Sequence, residues 1–173
     1  HMSIRIVTDS GADLEAAEYS QYQIELVPLG LTIDGRIYSA NRQFNKADFF
    51  RMLEAAKVFP KTSQPAPSEF EAVFEDAREK GDQVVYISIA SALSGTYQTA
   101  TVVKGLGEYD NVFVVDSRTA TLCQKLLVLH AAKLRDEGKT AEQIVLALEQ
   151  LRGRGRVYAG LDTLEYLRKG GRL

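Results

Sequence analysis

Hydroxyl-bearing turns recur in this 173-residue sequence where predicted strands end. They are Thr8-Asp9-Ser10, the SIASALSGT stretch at 88–96, and Asp116-Ser117; a fourth cluster, Thr62-Ser63-Gln64-Pro65, lies in the one irregular segment. The turn Ser94-Gly95-Thr96 is the most informative. A serine followed by glycine at a helix N-terminus offers a hydroxyl, unpaired backbone N–H groups and the positive end of the helix dipole. That combination suits an anion, a carboxylate as well as a phosphate. Thr62 and Ser63 can add hydroxyl donors. The plainer alternatives are that Ser94 only caps its helix, and that Thr62 and Ser63 form a hydroxyl-stabilised turn before proline.

Other reactive side chains are few. A carboxylate after the first strand can act as a nucleophile or phosphoryl acceptor, which is one reading of Asp9. The favoured reading makes Asp9 and Asp116 structural, as caps or as partners of neighbouring hydroxyls. A serine nucleophile at Ser94 needs a base, and the only internal histidine, His130, falls in the apolar helical run LLVLHAAKL. Two histidines and one cysteine cannot build a zinc site of the usual kind, so no metal or other cofactor is expected. Gly105 and Gly107 form no GxGxxG pattern and there is no P-loop. Arg168, Lys169 and Arg172 read most simply as a solvated basic end.

These turns need elements to position them. Residues 4–8 (IRIVT), 84–89 (VVYISI) and 112–115 (VFVV) read as strands, and 24–33 with 36–39 as a hairpin around Asp34-Gly35. Helices are expected near 13–19, from Asn45, from the Ser68-Glu69-Phe70-Glu71 capping box to about 80, from 96 to about 106, over 119–136, and from the Thr140–Gln143 box to about 152. Residues 58–67 (VFPKTSQPAP) carry three prolines and read as a loop; 157–161 is a candidate last strand. Alternating strands and helices predict an α/β fold, mainly a parallel sheet with helices on both faces and one antiparallel hairpin. Ligands in such sheets bind beyond the carboxyl ends of the strands, which gathers three of the four hydroxyl clusters on one edge. A chain that is 45% hydrophobic and 25% charged can bury one core, and a net charge of −2 gives no footprint for nucleic acid. No apolar run approaches the ~20 residues of a membrane span, so no stable membrane insertion is expected. The single cysteine, Cys123, is compatible with a reducing, cytoplasmic setting. His1 and Met2 read as a cloning scar.

Taken together, IVTDSGADL, KTSQPAPSEF, ISIASALSGTYQTA, VFVVDSRTATL and LEYLRKGGRL resemble, in order, the motifs of DegV-like fatty-acid-binding proteins, from Ile4 to Leu173. The resemblance implies a non-enzymatic carrier that encloses a fatty acid and presents it to a fatty acid kinase subunit. The kinase then makes an acyl phosphate for phospholipid synthesis. It also implies that Thr62 and Ser94 hold the carboxylate, with Ser63 and the Gly95 N–H as supporting contacts. Two departures follow. The family commonly continues past GGRL into a second lobe, so residues 3–173 are expected to form a single N-terminal lobe. Cys123 and Lys125 stand where the family has small residues, and larger side chains there would reshape the pocket. The rival readings are a small hydrolase or phosphotransferase using Ser94 or Asp9, and a structural lobe that binds nothing.

Overall fold

A computed structural model of the chain describes residues 3–39, 51, 54–55 and 61–154. The helix expected from Asn45 lies outside them except for Arg51, Glu54 and Ala55, which are helical; the strand at 157–161 and the LEYLRKGGRL segment also lie outside. Four strands, β1 (Ile4–Asp9), β2 (Ile24–Val27), β6 (Gln83–Ser88) and β7 (Val112–Asp116), form a parallel sheet in the order β2-β1-β6-β7. Their side chains alternate between two cores, as a strand's period of two requires. Ile6, Ile24, Val85, Ile87 and Val115 face α1 (Ala16–Gln21), α4 (Thr121–Asp136) and α5 (Ala141–Arg154), packing with Tyr22, Leu127, Val128, Ile144 and Leu148. Val7, Val27, Val84, Tyr86 and Val112 face α2 (Pro67–Glu79) and α3 (Thr96–Gly107), packing with Phe70, Phe74, Ala100 and Val103. Helices on both faces of a parallel sheet are therefore present as expected.

The hairpin is not an appendage of that sheet. The expected strand 24–33 breaks at Pro28-Leu29: Pro28 has no N–H to pair, and the Leu29 N–H is turned onto Ser10 Oγ at 3.1 Å. The chain thus leaves the parallel sheet after β2 and re-enters a second one, ordered β4-β3-β5, made of β3 (Gly30–Ile33), β4 (Arg36–Ser39) and β5 (Lys61–Ser63). Asp34 and Gly35 both have positive φ, 47° and 81°, as the favoured two-residue hairpin turn demands. The strand β5 corrects the reading of 58–67 as a loop. Its prolines flank the pairing residues, so Lys61–Ser63 keep their N–H groups and pair antiparallel with β3 in the register Gly30↔Ser63, Leu31↔Thr62 and Thr32↔Lys61.

Helix starts also differ from expectation. Ser68 is not an N-cap: Ala66 is, and Pro67, with φ preset for helix, takes the first turn instead. Helix α1 begins later than predicted, at a Glu15–Glu18 capping box. The Thr140–Gln143 box is formed in both directions, with Gln143 N–H donating to Thr140 Oγ1 (3.1 Å) and Thr140 N–H to Gln143 Oε1 (2.9 Å). Thr140→Ala should cost about 1 kcal/mol and lower the thermal midpoint by about 2–4 °C. An unchanged melting curve would mean that burial of Ala141 and Ile144 alone sets this helix start. Among the described residues, no helix is long and apolar enough to cross a membrane.

Candidate functional site

The carboxyl edge of the parallel sheet is fastened by Asp9. The residue is fully buried at the end of β1. Its Oδ1 accepts from the Gly11 N–H (2.9 Å) and Gln124 Nε2 (3.0 Å), and its Oδ2 from the Tyr86 hydroxyl (2.5 Å) and the Ile89 N–H (2.9 Å). One carboxylate thereby joins the turns after β1 and β6 to helix α4. Burial pushes its carboxyl above the usual carboxylate range, against these four donors, and burial also raises the Tyr86 hydroxyl well above its usual value. A carboxylate with both oxygens doubly hydrogen-bonded and no exposure is a staple and not an available nucleophile. Gln124, also fully buried, extends the network to Thr8 Oγ1 at 3.1 Å.

Asp116 does comparable work two strands over, at the end of β7. It accepts from the Ser91 hydroxyl (2.5 Å), the Ser91 N–H (3.1 Å) and the Arg118 N–H (2.9 Å). Burial acts to raise its pKa, but these donors outweigh that effect and hold the carboxyl below its usual value. Among the described residues, no group of three His, Cys, Asp or Glu side chains could hold a metal ion. His130 is buried within α4, in agreement with a structural reading.

The turn after β6 carries Ser94 and Gly95. Gly95 is the N-cap of α3, so Ser94 stands one residue before the cap, not at it. The Ser94 hydroxyl, partly exposed, accepts from the Thr96 N–H (3.2 Å) and pairs with Thr96 Oγ1 at 2.7 Å. Thr96 is fully buried. When its hydroxyl donates to Ser94, the Ser94 proton is free to point at a ligand acceptor. Gly95 is exposed at the helix N-terminus, where the dipole favours negative charge.

Sequence alone did not bring the Thr62 segment to this edge; the fold does. Thr62 stands on β5 opposite Leu31, and its side chain lies outside the described residues. Ser63 is exposed, and its Oγ occupies the space that a side chain at Gly30 would need. The Gln64 carboxamide oxygen lies where a side chain at Gly95 would begin. Ser63 and Gln64 thus each set a side-chain oxygen beside a glycine, Ser63 at Gly30 on β3 and Gln64 at Gly95 at the start of α3. Gln64 and Thr96 were named from sequence only as members of their turns, with no role of their own, yet both lie against residues that were given one. Their only signal was position, within TSQP and LSGT.

The side chains of Cys123 and Lys125 both have visible surroundings. Lys125 Nζ reaches Glu18 Oε1 at 3.0 Å, tying α4 to α1 through a partly buried ion pair. Cys123 lines a cleft of about 90 Å³ together with Ser117, Thr119, Leu126, Leu151 and Arg152. That volume is well below the ~300–1,000 Å³ of typical ligand pockets.

An open parallel sheet with helices on both faces and hydroxyl-rich turns at its carboxyl edge defines the class as a doubly layered α/β protein. The chain belongs to the DegV family: the family model described as "Uncharacterised protein, DegV family" matches residues 3–173. It is 39% identical over 170 residues to a DegV domain-containing protein of Caldanaerobacter subterraneus subsp. tengcongensis, covering 98% of this chain and 60% of that one. Its fold is similar to that of a DegV family protein from Thermus thermophilus described for fatty acid binding, with TM-score 0.76, 34% identity, and coverage of 87% of this chain and 54% of that one. DegV of Bacillus subtilis, a fatty acid binding protein, matches with TM-score 0.80, 29% identity, and coverage of 88% and 55%. The structural neighbours are thus fatty-acid-binding DegV proteins, and the chain spans about 60% of the length of the curated relative.

Proposed function

We propose that this chain binds a long-chain fatty acid and does no chemistry on it. The Ser94 and Thr62 hydroxyls hold the carboxylate, and Ser63 and the Gly95 N–H support it. The observation that carries the reading is the contact of Gln64 with Gly95. It supports the reading because Gln64, the residue after the strand bearing Thr62 and Ser63, lies beside the turn bearing Ser94, at the positive end of α3. The fatty-acid-binding structural neighbours support the same ligand class. Buried and fully hydrogen-bonded, Asp9 argues against the phosphoryl-acceptor alternative. Hydroxyls alone give modest affinity, whereas each buried CH₂ contributes roughly 0.8 kcal/mol, so the acyl chain needs an enclosing apolar wall. In this proposal residues 3–173 form one lobe and a second lobe supplies the rest of that wall. The carrier works in the cytoplasm and presents the carboxylate to a fatty acid kinase, which performs the phosphoryl transfer that leads to phospholipid synthesis.

Native mass spectrometry of the purified chain, followed by denaturing extraction and lipid analysis, tests the binding step. A fatty acid at near one per chain is the expected result. A protein that arrives empty and also takes up no added palmitate would rule out binding by this chain alone.

A further inference from the structure

Burial fixes the direction of one hydrogen bond in the turn after β6. Thr96 is closed to solvent, and among the described residues its hydroxyl has a single partner, Ser94 Oγ at 2.7 Å. A hydroxyl carries one proton and two lone pairs. If Ser94 donated across this contact, the Thr96 proton would be left without an acceptor where bulk water does not reach. An unmade buried hydrogen bond of that kind is costly. Donation by Thr96 strands nothing, because Ser94 is partly exposed and its own proton can turn outward. Thr96 is therefore the donor. Ser94 Oγ then accepts twice, from the Thr96 hydroxyl and from the Thr96 N–H at 3.2 Å. With both lone pairs occupied, what Ser94 presents outward is its proton.

We infer that Thr96 is a positioning residue that decides head-group specificity: by donating to Ser94 it makes that hydroxyl an obligate donor, which selects an ionised carboxylate over an alcohol on the same acyl chain. An alcohol brings a proton that needs an acceptor, and Ser94 has no lone pair left to offer. A carboxylate brings acceptors only, and the neighbouring N-terminus of α3 favours its charge. Thr96 is buried, so its effect on binding passes through Ser94. The inference rests on the fatty-acid reading given above for its ligand, whereas the direction of the bond does not.

The experiment compares Thr96→Val and Thr96→Ser with the unaltered 173-residue chain, by titration with palmitate and with hexadecanol. Valine keeps the shape of threonine and removes the hydroxyl. Thr96→Val should weaken palmitate binding by about three- to tenfold, because Ser94 is no longer held as a donor. Hexadecanol should bind as well as before or better, since Ser94 regains a lone pair, so the preference for palmitate falls by about tenfold. Thr96→Ser keeps the hydroxyl and should keep the preference. Equal weakening of both ligands by Thr96→Val, with the preference intact, is what a merely structural threonine gives and overturns the inference. So does a Thr96→Ser variant that loses the preference as fully as Thr96→Val. Neutron diffraction from the ligand-free, unaltered chain reads the bond without any variant. A Thr96 deuteron on the line to Ser94 Oγ is the expected result; a Ser94 deuteron on that line overturns the inference. If the unaltered chain takes up neither palmitate nor hexadecanol, the fatty-acid reading fails, and the neutron map still decides whether Ser94 is an obligate donor.

Discussion

Ser94→Ala combined with Thr62→Ala is expected to lower fatty acid affinity by about two orders of magnitude or more. Each hydrogen bond to a charged group contributes about 1.5–3 kcal/mol, or roughly ten- to a hundredfold in affinity. The two losses need not multiply, because both hydroxyls address one carboxylate and neighbours couple. Ser94→Ala also removes the acceptor for the Thr96 N–H, so a small loss of stability accompanies the loss of affinity. Calorimetric titration with palmitate, beside a thermal melt, separates the two effects. Affinity equal to that of the unaltered chain would remove both residues from the site and leave Ser94 as a local turn residue only.

The largest effect on stability is expected from Asp9→Ala. It would strand the Tyr86 hydroxyl, Gln124 Nε2 and two backbone N–H groups in a site closed to solvent. Each stranded donor costs about 1–3 kcal/mol, so a total near ~4 kcal/mol is reasonable even if water enters. The thermal midpoint should fall by roughly 8–16 °C, a large share of a stability of about 5–15 kcal/mol. Asp9→Asn should lose about half as much, because one oxygen still accepts while its NH₂ meets the Ile89 N–H. A normal melting curve with lost function would reverse the assignment and make Asp9 a ligand-contacting group. Since the Ile89 N–H leads directly into the Ser91–Ser94 turn, weaker fatty acid binding should accompany the loss of stability.

The places where expectation and structure part share a cause. Residues 58–67 read as a loop because three prolines dominate local propensity. Lys61–Ser63 became a strand because β3 offered a partner, and pairing is a tertiary fact. The 24–33 run read as one arm of a hairpin because it leads into Asp34-Gly35. Its break at Pro28-Leu29 depends on Ser10 Oγ arriving from another part of the chain. Ser68 looked like a cap by spacing, but Pro67 had already set the helix start.

What the sequence by itself determined is the set of local signals. The alternation of strands and helices gave the parallel sheet with two helical layers, Asp34-Gly35 gave the hairpin, and Thr140 with Gln143 gave a helix start. These are legible because hydrophobic period, turn chemistry and capping act over a few residues. Ser94 and Gly95 were visible as a helix-entry turn, and the order of TSQP and LSGTY carried the family. Only the tertiary structure decided which turns meet. It stapled β1, β6 and α4 through Asp9, sent the hairpin into a second sheet, and set Gln64 against Gly95. Contacts between residues far apart in sequence depend on how two sheets and their helices pack, and no local propensity encodes that packing.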